Sequence, residues 1–354
     1  MSSISLGSLM HTSSATRLKA DRERRRMGTH NLAGRRVLVL GGMGFIGSNL
    51  AIRLVSLGAR VTIVDSMLPR YGGNLMNIEP VKDRVDINFS DIRDIYSLEY
   101  LVKGAQYIFS VAGQTGHLLS MTDPFTDLDV NCRAQLSILE CCRKYNREVT
   151  IVNASTRQVY GKPFYLPVNE DHPLVPTDVN GINKIASEHY YTLYSKLYGI
   201  RCISLRLTNT YGPRQQLRGN EQGFTGIFIR NALTGNRIDI FGDGTQKRDF
   251  NYIDDVVDSF ILAAENTELE SHIYNLGSAK LYTLLDFVNL LHGICPLEYR
   301  LIPFPPDHAA IDIGDFQADY SKFSTETGWS PKTNLAEGLA HTVEYFRPRI
   351  QGYL

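Results

Sequence analysis

The chain reads as an α/β protein built on a doubly wound parallel sheet, followed by a smaller lobe. Two observations predict this class. From Arg35 onward, short continuous apolar runs suited to strands buried on both faces alternate with segments whose apolar residues recur at helical spacing. The first run also passes through closely spaced glycines straight into a helical pattern, as a strand–turn–helix unit does. With 354 residues, 43% of them hydrophobic and 21% charged, the chain can build one large α/β body or two closely associated lobes.

"RRVLVLG" is the first strand, "IGSNLAIRLVSLG" a helix closed by Gly58, and "ARVTIVD" the second strand. "VDINFSD", "AQYIFSVAG", a long helix in "DLDVNCRAQLSILECCRKY", "REVTIVNAS", a helix in "DVNGINKIASEHYY" and "RCISLRLTNTYG" continue the alternation, the order of a Rossmann-type sheet. After Tyr211, Gly and Pro cluster between shorter elements, which predicts a lobe on the carboxyl ends of the strands, where open α/β sheets bind ligands. The expected division is 34–207 with 244–275 for the nucleotide-binding domain and 208–243 with 276–350 for the smaller substrate-binding lobe. Residues 1–33 are Ser-rich and basic without an apolar signal core; they read as a disordered extension, with a transit peptide as the alternative.

Charge and cysteine narrow the function. Lys plus Arg and Asp plus Glu balance at 37 each, so no overall field draws the protein to nucleic acid or to an acidic membrane surface. Five cysteines without CxxC spacing read as reduced thiols of a cytoplasmic protein, with no structural zinc and no metal site. No apolar run approaches the roughly 20 residues needed to span a bilayer.

The glycine turn carries the first chemistry. Gly41, Gly44 and Gly47, with Phe45 and Ile46 between the last two, suit a turn whose backbone approaches a pyrophosphate at a helix start. Asp65 ends the next strand 18 residues after Gly47, placed to accept hydrogen bonds from ribose hydroxyls. Its carboxylate would repel a 2′-phosphate, which favours NAD over NADP; Arg70 is the one nearby residue pointing the other way. Asp91 closes the third strand as a further cofactor contact or a helix cap.

With that turn, Asp91, "SVAGQ", "DVN", "ASTRQVYG", "LRLTNTYGP" and "KRDFNYIDD" in order, the chain resembles the extended short-chain dehydrogenase/reductase family. More narrowly it resembles the NAD-dependent epimerases and dehydratases of nucleotide sugars, from about Arg35 to Phe346. The resemblance implies oxidation of a sugar hydroxyl, usually at C4, by hydride transfer to tightly held NAD, use of the ketone, and return of the hydride. It assigns Gly41, Gly44, Phe45, Ile46, Gly47, Asp65, Asp91, Ile92, Ala112, Gly113 and Asn131 to the cofactor. Lys184 matches the lysine that bonds the nicotinamide ribose and lowers a tyrosine's pKa. Thr156, with Ser155 before it, matches the hydroxyl that bonds the reacting oxygen. Gln114, Asn209 and Arg248 fall on the substrate side as implied by the same match, and His308 stands where a second phosphate-binding arginine is expected.

One departure matters most. The position four residues before Lys184 holds Asn180 where the family carries its catalytic tyrosine, and an amide does not abstract a proton near neutrality. Tyr190 and Tyr191 lie on the wrong turn. Three replacements are open: Tyr160, His117, or Thr156 acting with Lys184 and a water. Arg157 and Gln158 stand where the family's 4,6-dehydratases carry an Asp-Glu pair, and Gln158 where its decarboxylases tend to carry a carboxylate. An epimerase needs no such pair, so a nucleotide-sugar epimerase is the first expectation; a dehydratase or decarboxylase, or a redox-inactive NAD and nucleotide-sugar binding protein, is the alternative. Apolar stripes on the two long helices suit a homodimer.

Overall fold

The computed structural model describes residues 32–219 and 223–354. The extension expected over 1–33 therefore lies outside the described residues, except at its end. There Leu32 is fully buried in the core, so the folded domain includes residue 32, ahead of the expected boundary at 34.

The elements in chain order are β1 (Arg36–Leu40), α1 (Phe45–Ser56), β2 (Arg60–Val64), β3 (Asp86–Asn88), α2 (Ile95–Leu101) and β4 (Tyr107–Ser110). Then come α3 (His117–Thr122), α4 (Pro124–Leu128), a π-helical turn (Asp129–Arg133), α5 (Ala134–Tyr145), β5 (Thr150–Thr156), α6 (Val179–Tyr198), β6 (Arg201–Leu207) and β7 (Asn209–Tyr211). The second half adds α7 (Phe224–Thr234), β8 (Ile238–Phe241), β9 (Lys247–Tyr252), α8 (Ile253–Glu265), β10 (Ile273–Asn275), β11 (Leu281–Thr283), α9 (Leu284–His292) and β12 (Tyr299–Ile302). The last helices are α10 (Pro306–Ile311), α11 (Ser321–Thr327) and α12 (Leu335–Phe346).

Seven strands form one parallel sheet in the order β10-β6-β5-β4-β1-β2-β3. Strand order reverses between β1 and β4, which opens a crevice beyond their carboxyl ends. The two-residue period of a strand assigns the faces: Val37 and Val39 pack into the core beneath α1 and α8, whereas Leu38 and Leu40 join the core beneath α2, α5 and α6. The sheet is covered on both sides, as the continuous apolar runs required.

"RCISLRLTNTYG" does not stay one strand. It breaks at Thr208, so that β7 leaves the large sheet and pairs with β9 in a three-stranded sheet, β11-β9-β7. Residues 247–252, placed with the nucleotide-binding domain from the sequence, thus belong to this smaller sheet, while β10 completes the large one. A two-stranded β12-β8 sheet finishes the second lobe.

A buried ion pair locks the middle of the fold. Arg206 on β6 meets Glu188 on α6 through Nε and Nη2, at 2.9 and 2.7 Å, and both side chains are almost wholly buried. Arg206 Nη1 also donates to Tyr160 Oη, which donates to Asn275 Oδ1 on β10. Ser155 Oγ donates to Glu188 Oε1 at 2.6 Å. The network joins β5, β6, β10 and α6 and satisfies every charge it buries. Removing one partner strands the other: Glu188→Ala is expected to cost about 3–5 kcal/mol, read as a lowered denaturation midpoint in urea.

Candidate active site

A cleft runs along the carboxyl ends of β1 to β5 and is closed on the far side by β7 and the start of α7. Gly41 sits at φ +82°, and a Cβ there would lie 2.7 Å from the Ala112 backbone; one at Gly47 would lie 2.1 Å from Gly41 O. These glycines let the turn fold against itself, and Gly44 caps α1 with no side chain over its first N–H groups. The bare helix start with its positive dipole end is an anion site. Phe45 and Ile46 line the same stretch.

Asp65 is buried at the end of β2. Its Oδ2 accepts from Met43 N and its Oδ1 from Met67 N, both at 2.9 Å, so backbone donors fix its orientation. Burial pushes its carboxyl above the usual range, and those two donors pull partly back. Asp91 also faces the cleft, held bidentately by Arg93 at 2.9 and 2.7 Å, and this hydrogen bond keeps its pKa below the usual range. The cap of α2 is Asp94, so Asp91 has no capping duty. Ile92 lies beside it on the wall.

The middle of the cleft is made by α6 and the end of β4. Lys184 Nζ donates to Ala154 O at 3.0 Å; burial lowers its pKa to about 8, against the pull of Asp127 and Glu188. Asn180, one turn earlier, is nearly inaccessible. Its Nδ2 donates to Gln114 O at 2.8 Å and to Asp127 Oδ2 at 3.1 Å. Asn183 Nδ2 takes the other Asp127 oxygen at 2.8 Å. The residue in the tyrosine's place thus lines the cleft with its amide donating to two buried oxygens.

Asn131, in the π-turn, donates to Gln114 O at 2.9 Å, while its buried Oδ1 finds no partner among the described residues. A Cβ at Gly113 would approach that oxygen to 2.9 Å and Lys184 Nζ to 3.4 Å, so glycine keeps this passage open. The side chain of Gln114 is buried in the cleft wall, with neither Nε2 nor Oε1 partnered among the described residues. Thr156 Oγ1 accepts from Gln158 N at 3.2 Å and keeps its own proton to donate into the cleft. Ser155 reaches the wall, but its hydroxyl is spent on Glu188.

Three sequence candidates lie elsewhere. Tyr160 is wholly buried between Arg206 and Asn275, which keeps it from serving as a base. Arg248 is turned away from the cleft: Nη2 meets Asp312 at 3.1 Å and Nη1 donates to Lys247 O and Gly314 O. His308, on α10, packs its ring edge on Phe241 at 4.8 Å. Asn209 does face the cleft, with Nδ2 donating to Asp249 O at 2.8 Å. His117 also lines it, Nδ1 lying 2.9 Å from Asp178 Oδ2.

Sequence reasoning missed Asp127, which is fixed by partners more than 50 residues away, and Gln215 and Phe224, which lie in the irregular stretch after Tyr211. It read Arg157 only as a departure from a motif. In the structure this guanidinium lines the cleft with Nε unpartnered among the described residues, and burial and neighbouring Arg248 lower its pKa to about 10. A lone arginine at the end of a strand carried no signal of that burial.

Comparison with known proteins places these features. Residues 37–277 match the NAD dependent epimerase/dehydratase family. A UDP-glucose 4-epimerase of Mycolicibacterium smegmatis is 32% identical over 320 residues, covering 89% of this chain and all of that protein. The crystal structure of Thermotoga maritima UDP-glucose 4-epimerase with UDP-glucose superposes with a TM-score of 0.81 at 32% identity, covering 89% of this chain and 99% of the other. The Thermus thermophilus UDP-glucose 4-epimerase in complex with NAD gives 0.79 at 31% identity, with the same two coverages.

Gly47→Ala should abolish dinucleotide binding, because its methyl would enter the Gly41 carbonyl; calorimetric titration with NAD reads the loss. Lys184 supplies a pH test. Its folded pKa, about 8, lies below the ordinary 10.5, so the penalty of burying the charge is complete below 8 and fades as pH rises towards 10.5. Between pH 7 and 10.5 the ligand-free protein should therefore gain about 1–3 kcal/mol relative to Lys184→Met, measured by urea unfolding.

Proposed function

The chain belongs to the NAD-dependent epimerase/dehydratase family, and we propose that it is a nucleotide-sugar epimerase working through a transient keto-sugar at C4. One observation carries the reading: the glycine turn with Asp65 and the pair Thr156 and Lys184 line one continuous cleft. The end-to-end similarity to UDP-glucose 4-epimerases supports the same substrate class, a nucleoside-diphosphate hexose.

The residues present fit NAD. The cradle that a Cβ would fill at Gly41 and Gly47, and the buried unpartnered oxygen of Asn131, are what a bound dinucleotide would complete. The N–H groups after Gly44 would hold the pyrophosphate, Asp65 and Asp91 would face the adenosine end, and Lys184 would bond the nicotinamide ribose. Bound there, NAD supplies an acceptor that takes a hydride from the sugar carbon and gives it back. Thr156 then donates to the reacting oxygen, Lys184 keeps a positive charge near it, and Gln114 and Asn209 orient the sugar nucleotide. Arg157 is the half-buried cation on the substrate side, a suitable partner for diphosphate where Arg248 is already engaged.

Epimerisation is favoured over dehydration or decarboxylation because Arg157 and Gln158 put no carboxylate beside Thr156. Asn180 favours a second reading, a protein that binds NAD and nucleotide sugar without turnover. Exposed apolar residues on α6, Leu193 and Leu197 among them, support a homodimer, and the reduced thiols support a cytoplasmic setting.

Purified protein loaded with NAD is expected to form enzyme-bound NADH with at least one hexose from a panel of UDP-, dTDP- and CDP-sugars, with the C4 epimer appearing by NMR. No reduction and no product with any of them overturns the epimerase. Asn180→Tyr separates the two readings: under the first it loses at least about tenfold in kcat, since two buried hydrogen bonds go, whereas under the second it creates turnover.

A further inference from the structure

We propose that His117, oriented by Asp178, accepts the proton of the reacting sugar hydroxyl in place of the missing tyrosine; this rests on the epimerase reading. His117 opens α3 and its side chain, 35% exposed, stands on the cleft wall. Asp178, at the start of α6, has a wholly buried side chain. Its Oδ1 caps the helix by accepting from Gly181 N at 2.7 Å. Its Oδ2 has no hydrogen-bond partner among the described residues, and His117 Nδ1 lies 2.9 Å away in a close but bent contact. A buried carboxylate oxygen needs a donor, and the imidazole N–H is the one in reach. With Nδ1 protonated, Nε2 is left as a lone-pair acceptor.

Local stitching holds the start of α3 beside the start of α6. Asn180 N donates to Ser120 Oγ at 3.3 Å, and Ser120 Oγ donates to His117 O at 2.7 Å, so the first turns of α3 and α6 are tied together. Gln114, buried with both polar side-chain atoms unpartnered among the described residues, lies on the same cleft wall, a site prepared for a polar ligand. The rival acceptors are spent: Asn180 donates to two carbonyl and carboxylate oxygens, Tyr160 is in the core, and Lys184 holds Ala154 O. Asp178 faces the ring, Lys184 and Arg157 line the same cleft, and α10, which carries Asp307 and His308, packs against α3.

In the step, the hydroxyl O–H bond breaks and its proton passes to Nε2, giving an imidazolium balanced by Asp178. The oxygen's electron pair would form the carbonyl as the carbon gives up its hydride, for which bound NAD would supply the two-electron acceptor. Reversal returns the proton from Nε2.

Four measurements test this. In ¹⁵N-histidine NMR of the whole protein, His117 should be the Nδ1–H tautomer, and Asp178→Asn, which keeps a capping oxygen, should lose that preference. With the sugar nucleotide that reduces bound NAD, His117→Gln should lower kcat about 10²–10³-fold with KM changed less than about threefold. Its calorimetric affinity for UDP should be unchanged, and added imidazole should restore about tenfold or more to His117→Ala. Asp178→Asn, a positioning change, should lower kcat about tenfold with KM held. An Nε2–H tautomer in the wild type, or His117→Gln within about twofold of wild-type kcat, overturns the proposal while leaving the epimerase standing. A wild type inert with the whole panel overturns both.

Discussion

The site hangs on a single buried carboxylate. Asp127 has no exposure, and its two oxygens receive the amides of Asn180 and Asn183, one turn of α6 apart from each other and next to Lys184. A carboxylate taken out of water is tolerated only when its lone pairs are met, and here two neutral amides and a nearby ammonium meet them. The same contacts fix the rotation of α6, and with it where Lys184 points. Asn180 then reaches Gln114 O, which Asn131 also bonds, so the loop after β4, the π-turn and α6 share one acceptor. A phenol at 180 would have no such set of partners. The loss of the tyrosine is built into the packing.

Behind this lies the second constraint, the crevice produced by reversing strand order at β1 and β4. The cofactor side of the crevice is made of backbone: a glycine turn folded so closely on Ala112 that no Cβ fits, and a bare helix start. The substrate side is made of side chains drawn from β5, α3, α6 and β7. The Glu188–Arg206 pair supports that second wall from beneath by accepting the Ser155 hydroxyl and holding Tyr160 in the core. The Asp127 carboxylate and the Glu188–Arg206 pair beneath the site are each met by buried partners, and rigid support of this kind is what positioned proton transfer requires.

Much of this was legible in the sequence, and for physical reasons. The glycine turn and Asp65 are read by local spacing: a strand, a turn and a helix are contiguous in the chain, so the residues that make the phosphate cradle are neighbours, whereas Lys184 was singled out only through the family resemblance. The parallel sheet followed from runs of apolar residues buried on both faces. What spacing does not encode is pairing across the fold. Asn180 read as a loss because its partners, Gln114 and Asp127, are 66 and 53 residues distant. Arg248 read as a phosphate ligand because nothing local announces Asp312, and His308 read as a replacement although its ring is packed on Phe241. The break at Thr208 was missed because no Gly or Pro separates β6 from β7; which sheet each joins is settled by β9 and β10, far along the chain.

The central claim is that position 180 serves structure and that the proton goes elsewhere. A crystal structure of the protein with NAD and its sugar nucleotide tests it most directly. The account predicts Asn180 Nδ2 still on Gln114 O and Asp127, with His117 Nε2 within about 3.2 Å of the reacting hydroxyl. An Asn180 amide swung onto the sugar oxygen, with His117 turned to solvent, would contradict it.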